Sequence, residues 1–318
     1  MKNYIQKLNL YHSLIFFLTA NIFSIIIDQT KNLTISPMIC LLLILTIGIS
    51  HGSLDHIKGK KLLGIMKISN IYFFYSVYIF IGVSLILIWL MFPVITLITF
   101  LIVASYHFGK EDTDFLTSNN YPLNQIFYFL KGLLVVIAPL NFHFEETINI
   151  FKLLMVENEK FYIYLAILEN FKIIPIIFLL SVFSSFYLFI KNFNFVKFTI
   201  FLDFFSILIL NYYLSPLLAF TFYFCFLHSI RHSFSLILEL DNSNFKNGLI
   251  LFLKKALPIT ILTILMYLIA LFYLSNSFEF NNAPPSACRK VMLVKSGYLF
   301  FTLLYLPNAP SVAENIFS

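Results

Sequence analysis

The chain has 318 residues, of which 60% are hydrophobic and only 11% charged, with a formal net charge of +6. So little polar surface excludes a water-soluble globular protein. Its continuous apolar runs, close to the ~20 residues a helix needs to cross a bilayer, exclude an outer-membrane barrel, whose strands alternate apolar and polar over ~10 residues. The expected fold is all-α: one integral membrane domain over residues 1–318, built as a polytopic transmembrane bundle of about 8–10 helices.

In chain order, Lys2 and Lys7 precede a first apolar run at 10–27, and no small-residue cleavage site follows, so this run reads as a retained span. Further spans are expected at 35–50, 71–92, 94–108, 123–140, 173–190, 198–214, 214–238 and 257–274, with a short tenth at 298–306. Pro93 and Pro216 fall between neighbouring spans, where a fixed φ and a missing N–H are tolerated. Residues 275–318 form a poorly defined carboxy-terminal segment, unusually polar from Phe278 to Lys295.

Lysines set the orientation. Lys58, Lys60, Lys61 and Lys67 crowd the loop after the second span, which places that loop and the amino terminus in the cytoplasm. Alternate counting then puts Lys110, Lys191, Lys197, Lys246, Lys254 and Lys255 inside, and the stretch 141–172 with its four glutamates outside. Arg289, Lys290 and Lys295 run against this pattern. The basic balance is accounted for by orientation and anionic lipid, and no nucleic-acid partner is expected. Cys40, Cys225 and Cys288 have neither metal nor disulfide spacing.

Five of the seven histidines are placed unusually. His51 and His56 follow the second span in His51-Gly52-Ser53-Leu54-Asp55-His56, His107 closes the fourth in Tyr106-His107-Phe108-Gly109-Lys110-Glu111-Asp112, and His228 and His232 lie within the eighth. His12 and His143 read as interfacial residues. Residues four apart on a helix share a face, so His228 and His232 can reach one ion. Spans two, four and eight run in the same direction, so His51, His107, His228 and His232 come to similar depths. Acidic residues recur one turn on: Asp55 after His51, and Glu111, with Asp112 beside it, after His107. They could accept the imidazole N–H that does not bind metal, within one helix or across two. Arg231, between His228 and His232 on another face, is expected to pair with Asp55, Asp112 or a headgroup, and less readily with Asp203. Four neutral imidazoles suit iron, copper or zinc and disfavour magnesium and calcium.

The three motifs, His51-Gly52-Ser53-Leu54-Asp55, Tyr106-His107-Phe108-Gly109 with Asp112, and His228-Ser229-Ile230-Arg231-His232, together resemble the Brp/Blh family of bacterial and archaeal membrane β-carotene 15,15'-dioxygenases. The resemblance implies a multi-pass enzyme of the bacterial or archaeal cell (inner) membrane. It implies an Fe(2+) cofactor held by His51, His107, His228 and His232. Asp55, Glu111, Asp112 and Arg231 are expected around these ligands from their positions in the chain, and His56 as a bystander or surrounding group. The implied reaction splits β-carotene at its central double bond with O2, giving two all-trans-retinal that pass to a rhodopsin. One departure stands out: where the family tends to carry a Leu-Thr-Leu-Pro-His-like segment, this chain reads Leu304-Tyr305-Leu306-Pro307-Asn308. The 40 phenylalanines and 18 tyrosines would suit a polyene tunnel, although AT-rich coding explains the excess equally well.

Three other classes compete. A two-iron lipid desaturase generally needs about eight histidines, more than the chain has. A zinc-dependent membrane lipid hydrolase would use a few histidines and an aspartate such as Asp55. A non-enzymatic carotenoid-binding or transport protein would be expected to show an inverted repeat and broken spans.

Overall fold

The structure is a computed structural model, and it describes residues 2–30, 35–48, 54, 59–60, 63–68, 70–116, 122–155 and 159–277. Among these no residue is in a strand, and the all-α expectation holds. In chain order the helices are α1 (Lys2–Gln29), α2 (Pro37–Leu43), α3 (Ile71–Met91), α4 (Pro93–Glu111), α5 (Pro122–Phe142), α6 (Phe144–Met155), α7 (Glu159–Asn170), α8 (Ile173–Ile190), α9 (Phe198–Tyr213), α10 (Pro216–Phe222), α11 (Ile230–Leu240) and α12 (Phe245–Ser277). Two π-helical segments interrupt the pattern, Ile44–Gly48 after α2 and Tyr223–Ser229 between α10 and α11.

Seven of the described helices are long and apolar enough to cross a membrane: α1, α3, α4, α5, α8, α9 and α12. The expected eighth span is present as an unbroken helical run from Pro216 to Leu240, divided into α, π and α segments. Pro93 and Pro216 each open a helix, the position where a missing N–H costs nothing. The stretch expected outside the membrane forms α6 and α7. The last helix starts at Phe245, well before residue 257, because Lys254 and Lys255 interrupt hydropathy without interrupting a helix. The expected tenth span at 298–306 lies outside the described residues.

The chain forms two compact units. The first comprises Met1–Cys40, Leu97–Phe151 and Asn158–Ser235. In it α1 lies along α9, and α5 along α8. Small buried residues let α8 approach α5 closely: Ser181, Ser184 and Ser185 are all sealed, and Ser184 donates to the Phe127 carbonyl at 2.7 Å. Glycine does the same between α4 and α5, where a Cβ on Gly109 would overlap the Tyr128 carbonyl and one on Gly132 the Ser105 carbonyl. Cys40 and Cys225 are buried thiols of this unit, neither in a disulfide.

The second unit comprises Leu41–Thr96, Lys152–Glu157 and Leu236–Ser318. Its described core gathers Leu54, Leu236, Ile237, Phe252 and Ala256. Asn70 caps α3 by accepting from the Tyr72 amide at 3.0 Å. Asp241 accepts from the Ser243 hydroxyl and from the amides of Ser243 and Asn244, closing the turn before α12. Those bonds hold its carboxyl below the ordinary value.

Candidate metal centre

Three of the four sequence-assigned ligands lie side by side in the first unit. His107 comes from the last turns of α4, His228 from the π-helical segment and His232 from α11. They are 4, 1 and 6% exposed, so none turns outward to lipid or water. The His107 and His228 ring centroids are 5.2 Å apart, and each lies 6.5 Å from that of His232. With a metal–nitrogen bond of ~2.1 Å, two rings on one ion have centroids at most about 6.5 Å apart. His107 and His228 sit well within that limit, and His232 at its edge. Both distances to His232 cannot be at that limit on one ion, and no group of three His, Cys, Asp or Glu side chains among the described residues is arranged to hold a metal. His51, Asp55 and His56 lie outside the described residues.

Carboxylates from the end of α4 hold two of these rings, in a pairing that crosses between helices. Nδ1 of His232 lies 2.9 Å from Oε2 of Glu111, and Nδ1 of His228 lies 3.1 Å from Oδ1 of Asp112. The expectation that Glu111 or Asp112 would accept from an imidazole is met by the histidines of the eighth span. An acceptor at Nδ1 fixes the tautomer whose lone pair is on Nε2, the form in which imidazole binds a metal. Burial works against the charge of Asp112, but the hydrogen bond from His228 and the charges of Lys131 and Arg231 hold its carboxyl well below the usual range. Packing fixes the rings further: Phe108 meets His228 edge-on at 4.9 Å and Phe224 stacks on it at 5.7 Å.

Arg231 corrects the sequence reading. Its principal partner is Asp203 on α9, the weaker of the expected candidates, through bonds of 2.6 and 3.0 Å. Asp112 offers only its backbone carbonyl, at 3.3 Å. Ser13 of α1 accepts a further bond at 2.6 Å and donates to Asp203 at 2.7 Å, and the Phe115 ring lies under the guanidinium. Arg231 therefore joins α1, α9, the end of α4 and the histidine-bearing helix in one fully buried network. His12, read as interfacial, is partly buried, with Nε2 2.8 Å from the Phe226 carbonyl.

Two residues of this cluster escaped sequence reasoning. Tyr223 donates its hydroxyl to Oδ2 of Asp112 at 2.7 Å, and Ser13 completes the Arg231 network. Ser13 gave no signal. Tyr223 gave one only to a reader who knew that the helix widens there.

In donor chemistry the set suits a borderline transition metal: imidazoles backed by carboxylates and buried among aromatic rings. No curated protein and no solved structure matches the chain. A family described as Beta-carotene 15,15'-dioxygenase matches residues 42–289, a stretch that holds all four motif histidines and ends before Leu304-Tyr305-Leu306-Pro307-Asn308. Since that match takes in most of the chain, and the three of those motif histidines that are described are neighbours, the protein belongs to the β-carotene 15,15'-dioxygenase family.

Proposed function

We propose that this protein is a membrane-embedded, non-haem iron(II) dioxygenase that cleaves β-carotene at its central double bond with O2, giving two all-trans-retinal. One oxygen molecule supplies one atom to each aldehyde, so the reaction balances without a further reductant. The observation that carries the reading is the buried grouping of His107, His228 and His232, two of them tied to carboxylates, in a chain of this family. These three and His51 would hold the iron, which when bound supplies the redox chemistry toward O2.

The chain's own contribution is positional. Asp112 and Glu111 hold the Nδ1 protons of His228 and His232, and Phe108 and Phe224 keep water from the His228 ring. β-Carotene is a hydrocarbon about as long as the ~30 Å apolar core of a bilayer, and a protein of lipid-crossing helices meets it without passing it through water. On this reading the enzyme works in the cell membrane with its amino terminus in the cytoplasm, as the lysine distribution supports, and its retinal passes to a rhodopsin.

The test is expression in cells that accumulate β-carotene, with retinal quantified by chromatography. Wild type bleaches the cells and yields retinal, while His228→Ala and His232→Ala remain in the membrane and yield none. Retinal at the wild-type level from either variant would overturn the ligand assignment.

A further inference from the structure

One wide turn of helix decides which side chain shares a carboxylate with His228. Tyr223 and His228 are five residues apart, and on an α-helix of 3.6 residues per turn they would point about 140° away from each other. The Tyr223–Ser229 segment is instead π-helical, closing its hydrogen bonds from i to i+5 around a wider turn. Both side chains thereby reach Asp112: the Tyr223 hydroxyl donates to Oδ2 at 2.7 Å, and His228 Nδ1 lies 3.1 Å from Oδ1. Tyr223, His228 and Asp112 are all buried, at 1, 1 and 2% exposure.

A phenylalanine at 223 would fill the same space beside Phe108, which meets the tyrosine ring edge-on at 5.6 Å, and would need no acceptor. The hydroxyl is therefore not required for packing. Its consequence is orientational, because the terminal torsion of an aspartate is broad and a single partner fixes it poorly. Meanwhile Arg231 holds the Asp112 backbone carbonyl, so the main chain stays in place while the carboxylate remains able to turn.

We propose that Tyr223 is a positioning residue of the metal site: its hydroxyl fixes the rotation of the Asp112 carboxylate and, through it, the ring of His228, with the π turn as the device that brings it there. The inference rests on the metal-binding reading of His107, His228 and His232.

The experiment uses the full chain in lipid nanodiscs with cobalt(II) as a spectroscopic stand-in for iron. Tyr223→Phe is compared with Tyr213→Phe, a change at an exposed tyrosine. Tyr223→Phe is expected to bind cobalt about tenfold more weakly and to shift the visible ligand-field bands, with Tyr213→Phe unchanged in both. If Tyr223→Phe fails to fold, a fluorinated tyrosine placed at 223 keeps the ring and strengthens the donor, and the bands are expected to move. A folded Tyr223→Phe with wild-type affinity and spectrum, or an unmoved spectrum with fluorotyrosine, overturns this inference alone. A folded wild type that binds neither cobalt, iron nor zinc overturns the metal reading and this inference with it.

Discussion

Arg231 and Asp203 face each other from different helices as a two-bond ion pair, with both side chains sealed inside the protein. Two desolvated charges repay their loss of water only when the geometry is good and their remaining hydrogen-bonding atoms find partners. Ser13 and the Asp112 carbonyl supply part of that completion.

Removing one member leaves the other buried and uncompensated. Arg231→Met or Asp203→Leu alone is expected to cost about 3–5 kcal/mol, while the double change restores most of the loss. Thermal unfolding of the purified protein in one detergent measures this, and single variants as stable as wild type would show that neither charge is left uncompensated by loss of the other.

On the metal-binding reading, Glu111 is expected to bear on metal retention rather than on folding, through its contact with His232. Glu111→Ala is expected to weaken metal binding about tenfold, with Glu111→Gln intermediate because an amide oxygen still accepts from His232. Titration against a competing chelator reads the affinity. An unchanged affinity in Glu111→Ala would reduce the carboxylate to an ordinary polar residue at a helix end.

The contact of α4 with α5 tolerates no added carbon. Gly132→Ala is expected to destabilise by about 1–3 kcal/mol, as overpacked sites do, because the Ser105 carbonyl and the Gly109 backbone lie where the methyl would go. Gly64→Ala, with open space around it, is the control. A melting temperature shared by the two variants would contradict the close approach.

Metal exchange separates the oxygenase from a zinc hydrolase. Chelation is expected to abolish retinal formation, and iron(II) to restore it where magnesium, calcium and zinc do not. Restoration by zinc with iron withheld, read by chromatography and metal analysis, would favour hydrolytic chemistry.

Much of the fold was legible because lipid imposes a length and a composition on every crossing helix, and those are linear properties of the chain. The grouping of His107 with His228 and His232 was legible too, since counting span directions fixes depth. What counting leaves open is azimuth. That is why Glu111 and Asp112 were recognised as imidazole partners without the histidine each would hold. It is also why Asp203 ranked behind Asp55 and Asp112 as a partner for Arg231: which face of α9 meets the histidine helix depends on packing between distant segments. Tyr223 was hidden for a different reason, because an α-helical wheel directs it away from His228, and only the π turn brings it back.

The burial of Arg231 against Asp203 also bears on how the protein enters the bilayer. A lone charge at mid-membrane costs about 2.5–3.5 kcal/mol to insert, and here one charge sits on each of two successive segments. Only Leu214 and Ser215 separate α9 from α10, so the two segments form a helical hairpin whose charges neutralise each other within 28 residues of sequence. Entry of the two segments together, as one electrically neutral unit, would spare each charge that cost.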